Sequence, residues 1–185
     1  MSKVLAGAGL AVFLIGALVV VQTQPATRVA ATLSAPAATP SATAASPAVS
    51  PIPPGYRVQI PRLRIDLAIV EGDIERDAVA QRTPEGYAFH LPGTAIPGAG
   101  ANAFIYAHAR AGMFIALWDA RVGDVVWIGT PDGRALRYVV SEIHPRVPPD
   151  DVSWAASAPP ERLTLQTSTG PNPDDPRFIV VAFPG

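Results

Sequence analysis

From Leu63 the chain alternates for seven residues. Leu63, Ile65, Leu67 and Ile69 are apolar, while Arg64, Asp66 and Ala68 fall between them. That period of two predicts a half-buried β-strand. Ala103–Tyr106 is a short apolar run. Val125–Ile128 and Leu136–Ile143 read as two strands joined by Thr130-Pro131-Asp132-Gly133, a composition that turns a hairpin. Leu163–Thr167 and Phe178–Phe183 complete the set. Helical periodicity is weak: one turn is expected around Phe114, Leu117 and Trp118, and another over 77–81. Short strands at close spacing, punctuated by Gly and Pro, predict an all-β domain built as a closed or sandwiched antiparallel sheet.

The amino-terminal third follows a different pattern. Residues 4–21, VLAGAGLAVFLIGALVVV, carry no charge. As a helix they would extend about 27 Å, close to the hydrocarbon thickness of a bilayer. Lys3 precedes the run, so the positive-inside rule predicts a single-pass anchor over residues 1–24, with the amino terminus cytoplasmic and the remainder extracellular. The rival reading is a cleaved signal peptide, with Val29-Ala30-Ala31 as the small-residue site. Residues 25–55 are Ala, Pro, Ser and Thr with a single charge, Arg28, a composition expected of a disordered tether. Residues 56–185 remain for one modest core.

Composition then removes several chemistries. The net charge is −1, which gives no footprint for nucleic acid. Cysteine is absent, so no disulfide, thiolate metal site or thiol nucleophile is available. Lys3 is the only lysine, which rules out a Ser-Lys dyad within the folded part. The imidazoles are His90, His108 and His144. Asp174 and Asp175 in a loop are weak evidence for calcium and read better as solvated carboxylates. No metal or cofactor is expected. Trp118, Trp127 and Trp154 read as core or rim packing.

One stretch carries more information. HLPGTAIPGAGANAFIYAHAR, from His90 to Arg110, resembles the sortases, bacterial surface transpeptidases, which have a Pro-Gly-Thr-Ala segment and a Gly-Asn pair entering a strand before the catalytic His. Phe114, Leu117, Gly123 and Asp124 match the family's Phe-x-x-Leu and Gly-Asp spacing. LTLQTS, followed by Arg177, is similar to the family's Thr-Leu-x-Thr-Cys strand end and its catalytic Arg. VQIPRLRIDLAIVEG fits the first two strands. The resemblance spans about residues 57–183 and implies a closed antiparallel β-barrel of about eight strands, with one or two short helices.

It also implies a site. His108 takes the catalytic histidine position and Arg177 that of the arginine beside the substrate carbonyl. Ser168 takes the nucleophile position, where the family has Cys; Ala107 departs too, since Gly often precedes the His. Thr167 and Arg177 are the expected substrate-binding residues. The implied partners are a sorting-signal peptide of a surface protein and an amine acceptor of the cell envelope, handled by a monomer. A serine hydroxyl needs a general base in contact during attack, and His108 is the aligned one. Two functions therefore stand: a peptidase or transpeptidase using Ser168, His108 and Arg177, or a silent module that binds peptides or wall components. His90 and His144 are read as structural.

Overall fold

A computed structural model describes residues 50–79 and 82–185. The expected anchor and most of the expected tether lie outside the described residues. Within those described, no helix is long and apolar enough to cross a membrane.

Eight strands form the domain: β1 (Arg57–Ile60), β2 (Ile65–Glu71), β3 (Tyr87–His90), β4 (Asn102–Tyr106), β5 (Val125–Gly129), β6 (Ala135–Val147), β7 (Arg162–Ser168) and β8 (Arg177–Pro184). They close into a barrel in the order β1-β2-β3-β4-β7-β8-β6-β5. Closure, by β1 against β5, leaves no free sheet edge. The expected hairpin is present. Thr130 N donates to Arg134 O, and Gly133 supplies the left-handed turn residue at φ 81°.

The barrel is mixed rather than antiparallel throughout. β2 pairs with β3 in parallel, and so does β4 with β7. Parallel neighbours need a crossover connection, and both pairs have one. Residues 72–86, with the helical turn α1 (Ile74–Asp77), link β2 to β3. The link from β4 to β7 includes β5 and β6. The helical turn expected over 77–81 thus falls earlier, and the last two residues of that range lie outside those described. The alternation from Leu63 is also interrupted. Pro61–Leu63 form a 3₁₀ turn and Arg64 is left-handed at φ 54°, so the strand begins at Ile65. β6 runs longer than its pattern because register shifts between Val140 and Glu142, and again between His144 and Val147, break the alternation.

The core fills the barrel. Val58, Ile69, Ile105, Val126, Leu163 and Val180 are all at or below 1 % exposure. Each such side chain stabilises the fold by about 1.5–3 kcal/mol. β8 is buried on both faces, since Ile179 and Val181 pack outside the barrel against Val147, Trp154 and Phe183. Ile52, before the first strand, is buried too, and its amide donates to Glu71 Oε2 at 2.8 Å. Arg62 clamps the barrel end by two bonds to Asp124, Nε–Oδ1 at 2.5 Å and Nη2–Oδ2 at 2.6 Å.

Candidate active site

Strand register brings the site together. Ser168 ends β7 and Arg177 opens β8, and the two are direct cross-strand partners. β4 runs parallel to β7 with Tyr106 beside Gln166. The ladder continues one step, as Ala107 N donates to Gln166 O at 3.2 Å. Two residues beyond Tyr106, His108 therefore arrives at the same barrel end as Ser168. His108, Ser168 and Arg177 line one groove of about 1050 Å³. Thr167 also lines it, but its hydroxyl is buried and donates to Ala107 O at 2.9 Å, so that side chain fastens β7 to the His108 segment.

Each site side chain has a defined partner. Ser168 Oγ donates to Gly170 O at 2.6 Å and accepts from Gly170 N at 3.3 Å. Its backbone carbonyl accepts from Trp118 Nε1 at 3.3 Å. Arg177 donates through Nη1 to Asp175 O and through Nη2 to Pro173 O, both at 2.9 Å. Burial pushes the Arg177 guanidinium below its ordinary value, while Asp175 and Asp174 pull it back up. An arginine's ordinary value lies so far above neutrality that the group stays cationic. Asp175 accepts from Asn172 N at 2.6 Å, tightening the loop that presents Arg177. His108 Nε2 lies 3.2 Å from Thr83 O. A carbonyl can only accept, so Nε2 is the protonated nitrogen. Among the described residues no hydrogen bond joins His108 to Ser168.

The groove walls were not legible in the sequence. Trp118 read as packing, yet it is 43 % exposed at the groove. Ile74, Val79 and Val152 are exposed apolar side chains on the same groove. Exposed apolar groups gathered in one cleft mark a ligand surface. Tyr106 donates to Asp77 across the groove floor. Burial, then that hydrogen bond, raise the Tyr106 phenol far above its usual range. Burial also pushes Asp77 up, but Arg76 and the Tyr106 hydroxyl outweigh it, leaving the carboxyl below its usual value. His90 is buried at some distance along the chain from the site, with Nδ1 2.9 Å from Glu71 and Nε2 3.0 Å from Ala95 O. His144 packs against Trp154 with ring centroids 4.4 Å apart and the planes tilted by 52°.

The profile of the Sortase domain matches residues 58–184. Among solved structures, the chain is similar to a lid mutant of sortase A from Corynebacterium diphtheriae, with 28 % identity and a TM-score of 0.60 over 75 % of this chain and 74 % of that one. It is also similar to the sortase C1 of GBS pilus island 1, with 29 % identity and a TM-score of 0.59 over 70 % of this chain; it spans 63 % of that chain's length. Sortase C-1 from Actinomyces oris matches at 26 % identity and a TM-score of 0.58, covering 70 % of this chain and 73 % of that one. No curated protein matches.

Proposed function

The chain belongs to the sortase family, and we propose that it is a membrane-anchored surface transpeptidase in which Ser168 is the nucleophile. The observation that carries this reading is the convergence of Ser168, His108 and Arg177 in one groove with exposed apolar walls. Sortases act on sorting-signal peptides of surface proteins, and such a peptide is the proposed ligand of the groove. Residues 1–24 would be the anchor and 25–55 the tether that stands the domain off the membrane, its last residues packed on the domain through Ile52.

The reaction is acyl transfer. Arg177 holds the scissile carbonyl oxygen, where negative charge develops. Ser168 Oγ bonds to the carbonyl carbon as its proton passes to His108, and the carbonyl π pair moves to the oxygen. Collapse breaks the C–N bond, and the leaving amine takes the proton from His108. An acceptor amine then attacks the ester, giving up a proton through His108, and Ser168 recovers its own. Before attack, the hydroxyl must exchange its bond to Gly170 O for one to His108. One neutral hydrogen bond is worth about 0.5–1.5 kcal/mol net, which is small beside the 10²–10⁴-fold that a positioned base supplies. The resting contact is therefore a minor toll on the rate.

A second reading draws on that same contact. If Ser168 keeps its proton on Gly170 O, the groove binds peptide without turnover. A serine-reactive phosphonate separates the two: a covalent adduct on the full chain, lost in Ser168→Ala, supports the enzyme, and its absence supports the binding module.

A further inference from the structure

We propose that the backbone carbonyl of Thr83 is the positioning group for His108, making Nδ1 the nitrogen that takes the Ser168 proton. The inference rests on the acyl-transfer reading above. A neutral imidazole has one N–H and one lone pair. Thr83 O, 3.2 Å from Nε2, can be satisfied only if Nε2 carries the hydrogen. The lone pair of neutral His108 is then on Nδ1, which has no hydrogen-bond partner among the described residues. In hydroxyl-based acyl transfer the base must be held in one tautomer, a task often given to a carboxylate on its far nitrogen. No carboxylate hydrogen-bonds to His108 among the described residues, and Thr83 O occupies that place.

The surroundings hold Thr83 to this task. Pro84 restricts the residue before it to extended conformations, which limits where the Thr83 carbonyl can point. Alternate residues from the end of β4 onward each grip the β2–β3 connection: Tyr106 bonds Asp77, His108 meets Thr83 O, and Arg110 pairs with Glu85. Asp73 caps α1 by accepting from Arg76 N at 2.9 Å, which fixes the start of the same connection. The backbone of His108 is pinned independently, because its carbonyl accepts from Arg110 N at 2.9 Å and Phe114 N at 3.0 Å. What Thr83 adds is the direction and protonation of the ring. The proton that leaves Oγ then goes to Nδ1, and from Nδ1 to the departing amine, with no net gain or loss at His108 over the cycle.

The test is nitrogen NMR of the full chain labelled with ¹⁵N-histidine, with the His108 signals assigned by their loss in His108→Gln. The expected result, recorded where the ring carries a single hydrogen, is that hydrogen on Nε2 and a bare Nδ1. In the double variant Pro84→Gly, Glu85→Ala the tautomer should become mixed, while unchanged His90 and His144 signals report an intact fold. Phosphonate labelling of Ser168 in that variant should slow about tenfold or more, within the range a misoriented base costs. Hydrogen on Nδ1 in the wild-type chain overturns the proposal. So does a double variant with a mixed tautomer that labels as fast as wild type. A wild-type chain with hydrogen on Nε2 but no adduct supports the Thr83 contact and counts against the acyl-transfer reading, so the two failures are told apart.

Discussion

Replacing Ser168 by Cys puts a titratable thiol opposite Arg177. The two positions are direct partners across β7 and β8, which sets their Cβ atoms roughly 4.5–5.5 Å apart. Both guanidinium Nη atoms are tied to loop carbonyls, so the cation cannot easily swing away. For a charge separation of about 5 Å and an effective dielectric of about 20, attraction for a thiolate is about 3 kcal/mol, or roughly two pKa units. The groove is open to water, and we halve that figure to about one unit. A thiol with an ordinary value of about 8.5 should then titrate near about 7.5. At pH 7 its thiolate fraction rises from about 3 % to about 25 %, with a corresponding gain in alkylation rate. The assay is iodoacetamide alkylation across pH in Ser168→Cys and in Ser168→Cys with Arg177→Ala. The second variant should return to about 8.5. Titration near that value in both would mean that Arg177 does not face position 168, and the proposed site would fail.

Asn102 is fully buried, donates to Trp154 O at 2.8 Å and Ala156 O at 3.1 Å, and accepts from Thr164; Asn102→Ala should cost about 2–4 kcal/mol, read as a lower midpoint in denaturant. Thr167→Val strips the donor from Ala107 O and should cost about 1–3 kcal/mol; urea unfolding checks it, and no loss would show that the bond does not fasten β7 to β4. Asp124 is held below its usual value, first by its hydrogen bond to Arg62. A depressed carboxylate contributes stability in full above its unfolded value of about 3.9 and loses it as pH falls through the lower folded value. The stability gap between wild type and Asp124→Asn should therefore be constant near neutrality and close at strongly acid pH, as followed by thermal melts across pH.

Local patterns were readable where one strand face is buried and the next residue is not. Ile65–Ile69 and the Thr130–Gly133 hairpin follow directly from such alternation and turn chemistry. β3 is only four residues long and three of them are buried, so it has no alternation to read. The parallel pairing of β4 with β7 was invisible because periodicity reports the faces of a strand and says nothing of its neighbour. That pairing is what carries His108 to Ser168 across sixty residues of sequence. The family resemblance named both residues, while their convergence rests on register. Thr83 gave no signal, since its contribution is a backbone carbonyl and any residue carries one.

The proposed mechanism requires Ser168 to form a covalent bond to substrate. The direct measurement is intact-mass analysis of the full chain, acid-quenched after mixing with extended sorting-type peptides and followed by fragment mapping. The expected result is a peptide ester on Ser168 that disappears in Ser168→Ala and is discharged by an added amine. Peptides that bind the groove with no ester at any quench time would contradict it.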